Sequence, residues 1–203
     1  MSRADETRRR ILEAAEAEFA RLGLHGARVD EIARRAGANK RMLYAYFGNK
    51  EQLYAAVLSR VYGRMAKAEQ GWISRELPAE EMLSEIIRLY FDFLAGDPSF
   101  VRMLLWENLN GAACIRSSEA GSLKAPALRA LTDTLRRGMR EGVFREDIDP
   151  ASTALSVNMC CFSYFSNIHT MSHLMERDLA DPQEVRAYAD HITEMIRRFL
   201  KKE

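Results

Sequence analysis

Apolar residues recur at three- and four-residue intervals along almost the whole of this 203-residue chain, and runs that alternate in twos are nearly absent. Such a chain folds as amphipathic helices packed on one another, an all-α architecture. Proline and glycine mark where the helices begin and end. Asp97-Pro98, Asp149-Pro150 and Asp181-Pro182 each set a capping carboxylate before a proline suited to a first helical turn. The pattern predicts nine helices, at about 5–22, 29–36, 39–47, 49–72, 79–94, 98–109, 126–141, 150–175 and 182–201.

Hydrophobic residues make up 47% of the chain, enough for a sizeable core, and the formal net charge is only +1. The charge is unevenly placed. Residues 1–50 carry a net +4 and residues 51–203 a net −3, so only the head is expected to meet phosphate. Cys114, Cys160 and Cys161 form no C-x-x-C motif and read as small buried hydrophobes of a cytoplasmic protein. No apolar leader opens the chain. Residues 151–175 lack any Asp, Glu, Lys or Arg, but they contain eleven Ser, Thr, Asn and His residues. That is too polar for a membrane span, and the segment is expected to be buried among other helices.

The head holds the most specific signal. Residues 29–47 read VDEIARRAGANKRMLYAYF, two short helices around a glycine turn, the spacing of a helix-turn-helix. Small Ala33 and Ala36 let the first of the two pack closely, Gly37 supplies the turn, and Asn39 can cap the second. On that second helix Lys40, Arg41, Tyr44 and Ala45 share one arc, while Leu43 and Phe47 share another. Two cations, a phenol and a methyl suit a DNA major groove and its phosphates. Lys50 opens the next helix, where the dipole disfavours a cation, and a phosphate would account for it.

The stretch RVDEIARRAGANKRMLYAYFGNKEQLYAAVL resembles the DNA-binding head of the tetracycline-repressor (TetR) family. The likeness covers residues 7–58 and includes Ile32-Ala33, Ala36-Gly37, Leu43-Tyr44-x-x-Phe47, and Lys50 followed by Leu53. It implies a nine-helix TetR-like fold, with a helix-turn-helix domain at 1–50 and a ligand-binding and dimerisation domain at 51–203. It also implies that Tyr44, Tyr46 and Lys50 contact phosphates and that Lys40 and Arg41 lie on the recognition helix. The family usually carries Thr where Arg28 stands here, and Arg can make the same phosphate contact with a full charge. The expected DNA-binding set is therefore Arg28, Asn39, Lys40, Arg41, Tyr44, Tyr46 and Lys50.

One head contacts few bases, so two are expected to read two half-sites about one DNA turn apart. In the last helix Val185, Tyr188, Ile192, Met195 and Phe199 alternate by three and four, and Ile196 and Leu200 widen the stripe. With the charge-free helix at 150–175, this seam is expected to pair with a second copy as a four-helix bundle, as the resemblance also implies. The remaining helices are expected to enclose a small-molecule effector with an apolar portion. Tyr62, Met65, Phe93, Met103, Trp106, Met159, Phe162 and Phe165 supply adaptable apolar surface. Asn110, Asn158, Ser166 and His169 would orient a polar group. The run DPSFVRMLLWENLNGA resembles the ligand-domain pattern of one TetR subgroup.

Other chemistry is weakly signalled. His169 and His173 are one turn apart, but no third ligand stands near and Thr170 replaces the Glu of H-E-x-x-H, so no metal is expected. No nucleophile elbow, P-loop or dinucleotide motif occurs, and no cofactor or catalysis is expected. Glu13, Glu16 and Glu18 read as the solvated face of the first helix. The expected function is a cytoplasmic, homodimeric repressor, released from a near-palindromic operator when an effector favours a head spacing that no longer fits DNA. The alternatives are a ligand-independent DNA-binding regulator or, more remotely, a helical-bundle enzyme or metal-binding protein.

Overall fold

A computed structural model describes residues 2–73, 77–117 and 126–202. Among them eleven helices form, with a single isolated bridge between Phe144 and Lys201 in place of any strand. The chain divides into two compact units. One joins residues 1–64 with 98–124, and the other joins 65–97 with 125–203. The boundary expected at residue 50 is therefore not where compactness divides the chain.

The first unit begins with α1 (Arg3–Gly26), opened by a reciprocal cap between Ser2 and Asp5. Ile11, Leu12, Ala15 and Phe19 form its buried stripe, and Phe19 meets the Tyr54 ring edge-on at 5.0 Å. Gly23 breaks the helical path at φ 67° and ψ −179°, a region open essentially to glycine alone. α2 (Val29–Arg35) and α3 (Lys40–Phe47) follow, then α4 (Lys50–Ile73), whose residues up to Arg64 belong to this unit. α6 (Pro98–Leu109) lies along α1. There the Trp106 indole covers Gly23 and donates from Nε1 to the Ala20 carbonyl at 3.3 Å. This packing draws α6 into the head's unit and moves the boundary.

Two expectations are corrected in this unit. Glu18 is not solvated: its side chain is 1% exposed, bound by Arg21 at 3.0 Å and faced by Arg35 of α2 at 3.7 Å. A buried carboxylate demands such partners, and here they tie α2 to α1. Glu16 likewise pairs with Arg64 of α4 at 2.8 Å. The loop expected after residue 109 contains a short helix, α7 (Ala113–Ser117). Gly111 and Ala112 turn the chain at positive φ, and the buried Glu107 carboxylate accepts from Ile115 N at 3.0 Å.

In the second unit α5 (Ala79–Gly96) buries Leu83, Ile86, Ile87, Tyr90, Phe91 and Leu94 against α8 (Pro126–Arg140), α9 (Pro150–Ser166) and α11 (Pro182–Leu200). Asp149 caps α9 by accepting from Ser152 N, and Asp181 caps α11 by accepting from Gln183 N. The chain end is stitched in, with Arg145 N donating to the Leu200 carbonyl at 2.9 Å. The helix expected at 150–175 is divided. It ends at Ser166, and α10 (Ile168–Leu174) starts beyond Asn167. The Asn167 amide donates to the Ser163 carbonyl and to Ser166 Oγ, each at 3.0 Å, local bonds that compete with the helical ladder.

Nor is that charge-free segment covered on all sides. α9 buries Thr153, Ala154, Val157, Cys161, Tyr164 and Phe165, but Leu155 and Met159 stand in solvent. α10 buries nothing, and Met171, Leu174 and Met175 are exposed. The result is an apolar face without charge and without a cover inside the unit. No helix among the described residues is long and apolar enough to cross a membrane.

Candidate nucleic-acid interface

α3 is seated by Leu43 and Phe47, both buried in the first unit's core, and this turns the opposite arc outward. Lys40, Arg41, Tyr44 and Ala45 are exposed there, joined by Met42. Asn39 caps the helix, its side-chain oxygen accepting from Met42 N at 2.8 Å. Asn39 is thus occupied as a cap, which fixes the pitch of the arc at its start. Gly37 makes the turn at φ 59°.

The flanking groups differ in how free they are. Arg28 and Arg41 are exposed and make no ion pair among the described residues. Lys50 is half-buried and donates to the His25 carbonyl at 3.3 Å, which holds its ammonium beside the end of α1. Tyr46 is half-buried against Phe47, with ring centroids 6.4 Å apart. Lys40 is tied to Asp30 of α2 at 3.1 Å. Elsewhere on α2, hydrogen bonds from Arg34 and Arg35 hold the Glu31 carboxyl down to about 2. Asp30 was missed in the sequence because nothing local marks a residue ten positions upstream of a lysine as its partner.

A seated short helix with a basic, aromatic outer arc has the form of a DNA-reading element. Residues 11–57 match the family described as bacterial regulatory proteins, tetR family. Residues 78–196, more than half of the chain, match the tetracyclin repressor-like C-terminal domain. The chain belongs to the TetR family of bacterial transcriptional regulators. It is 34% identical to the HTH-type transcriptional repressor NicS of Pseudomonas putida, over 98% of this chain and 94% of that protein. It is 37% identical to the HTH-type transcriptional repressor SCO4008 of Streptomyces coelicolor, over 71% of this chain and 70% of that protein. Among solved structures, the regulator SCO4942 of Streptomyces coelicolor superposes with a TM-score of 0.72 at 28% identity, covering 96% and 98% of the two chains.

The two TetR-family surfaces expected beyond the head are placed unevenly. In the last helix's seam, Tyr188, Met195 and Phe199 stand outward, 38%, 42% and 47% exposed, and Val185 is half-buried. Ile192 and Ile196 are corrected in part: with Ala189 and Leu200 they are buried in their own unit on the adjoining arc of α11, and Ile196 also borders a cleft beside Met195 and Phe199. Two clefts open on this outer face. One, of about 420 Å³, is bordered by Asn167, Met171, Met175, Tyr188 and His191. The other, of about 480 Å³, is bordered by Ser152, Ser156, Met195 and Phe199.

The expected effector-binding residues fall into both units and border neither cleft. In the first unit Met103 is fully buried, Tyr62 packs on Phe100 at 5.7 Å, and Trp106 is occupied by Gly23. Asn110 follows the end of α6 and is half-buried. In the second unit Met65 is buried and Phe93 and Phe162 are half-buried. Phe165 joins a ring cluster with Phe91 and Tyr164, and the Asn158 amide donates to the Tyr90 hydroxyl at 3.0 Å. Ser166 donates to the Ser163 carbonyl. Met159 and His169 face solvent, so α9 and α10 do not bring them to an interior wall of this unit. Among the described residues no three His, Cys, Asp or Glu side chains gather as a metal site needs.

Proposed function

We propose that this TetR-family regulator is a homodimeric repressor that binds a near-palindromic operator and leaves it when a small molecule with an apolar portion binds within residues 51–203. The observation that carries the reading is the outward arc of α3, held by buried Leu43 and Phe47. Arg41, Lys40, Tyr44 and Ala45 would meet the groove, while Arg28, Tyr46 and Lys50 would meet flanking phosphates. Two named repressors among the relatives, at 34% and 37% identity, support the sign of regulation. Support for the dimer comes from the apolar outer face of α9, α10 and α11, whose two clefts suit knobs from a second copy. The effector would act by binding the DNA-incompetent state more tightly, and its residues would come from the apolar set named above.

The test is DNA binding by the full chain, first on a random pool and then on the selected sequence. Lys50→Ala is expected to weaken binding to every sequence alike and to flatten the log–log salt dependence by about one unit. An unchanged slope would remove the phosphate role. Arg41→Ala is expected to relax the preference at one or two positions, at a cost of about 1–3 kcal/mol on the selected site. If the base preference survives intact, Arg41 does not read bases.

A further inference from the structure

Lys40 is the first residue of α3, and its ammonium straddles the Asp30 carboxylate, 3.1 Å from one oxygen and 3.2 Å from the other. Both side chains stand in solvent, Asp30 77% and Lys40 50% exposed. An exposed pair of this kind contributes little to stability. Its position is what needs explaining. The N-terminal residues of a recognition helix are those that reach base edges. A carboxylate there is repelled by phosphate, so a surface built only for attraction would leave it out.

What the pair offers is a donor and an acceptor side by side. The ammonium has a third N–H beyond the two that the carboxylate can take, and the carboxylate keeps free lone pairs. In the major groove a G·C pair shows the acceptors N7 and O6 on guanine and the donor N4 on cytosine. O6 and N4 are hydrogen-bonded to each other, hence about 2.9 Å apart. That is close to the spacing of the Lys40 nitrogen and the Asp30 oxygens. We infer that Lys40 and Asp30 read one G·C pair in each half-site as a unit, Lys40 donating to guanine and Asp30 accepting from cytosine N4. A T·A pair keeps an acceptor beside a donor, O4 and N6, but sets the thymine methyl where guanine carries N7, so the ammonium loses the acceptor it shares between N7 and O6 and meets a methyl instead; in the reversed orientations donor and acceptor are exchanged. This rests on the reading that α3 enters the major groove.

The pair is neutral as a whole, so Lys40 releases few counterions while Asp30 holds it. Selection from a random DNA pool with the full-length protein, with Asp30→Ala and with Lys40→Ala tests the inference. Both positions are on the surface, so the variants keep the fold. Wild type is expected to enrich G·C at one position per half-site. Each variant is expected to lose that preference by about tenfold or more at that same position and to keep the rest of the motif. Asp30→Ala is further expected to steepen the salt dependence by about one unit, as the freed ammonium turns to phosphate. A motif that Asp30→Ala leaves unchanged, or two variants that alter different positions, overturns the inference while leaving α3 as the reader. A wild-type protein that enriches no motif overturns the reading of α3 itself.

Discussion

Gly23→Ala is expected to lower the stability of the first unit by about 2–6 kcal/mol, measured as a fall in the urea midpoint with the slope unchanged. Two costs combine. The backbone at φ 67° and ψ −179° lies where a side chain costs about 1–3 kcal/mol. A Cβ would also sit 2.7 Å from Cδ2 and Cε3 of Trp106, and forcing the indole aside costs about 1–3 kcal/mol more. Two comparisons separate the terms. Gly142 has φ 73°, but a Cβ there meets nothing within 4 Å, so Gly142→Ala is expected to lose only about 1–2 kcal/mol. In a Trp106→Ala background, Gly23→Ala is expected to cost only its backbone share, a coupling that a double-mutant cycle reads directly. Equal costs with and without the indole would mean that Trp106 is not what Gly23 accommodates.

Met195→Glu is expected to leave the chain folded and to abolish dimerisation, with operator affinity falling about 100-fold or more. Met195 lies on the outer side of α11, so a carboxylate there is solvated in the single chain. Across a two-fold axis the substitution appears twice on one patch, and two desolvated like charges face an apolar surface. Sedimentation reads the oligomeric state, and titration of a full operator against a single half-site reads the coupling. Half-site binding is expected to stay near wild type, because α3 is untouched. A variant that remains dimeric at micromolar concentration would move the interface off this face.

What was legible in the sequence was local. Gly37, the Asn39 cap and the Leu43/Phe47 stripe each concern residues within four positions of one another, and the helix-turn-helix follows from them. The same holds for Asp149 and Asp181 before their prolines. Glu18 shows the limit. In sequence it is one more glutamate of an amphipathic helix, and only the arrival of Arg35 from α2 makes it a buried ion. Trp106 looked like pocket lining because aromatics on apolar helices often are, yet its partner is a glycine 83 positions earlier. The break at Asn167 was hidden by unbroken apolar spacing and by the lack of glycine or proline. The seam of α11 was visible as a stripe, but its division into inner Ile192 and Ile196 and outer Met195 and Phe199 depends on where α5 packs.

The ion pairs inside the head also bear on how the protein would find its site. Of its eleven Lys and Arg residues, Arg9, Arg21, Arg34, Arg35 and Lys40 are each matched by a carboxylate of the head itself. The other six, Arg3, Arg8, Arg10, Arg28, Arg41 and Lys50, are left to grip arbitrary DNA, about half of what the count of cations suggests, so visits to wrong sites would be briefer than that count implies. In a genome where random sequence outnumbers operators by about a million to one or more, that brevity keeps the protein from being titrated away. Occupancy would then be set by the few groups that discriminate, and modest numbers of molecules would suffice to hold a promoter.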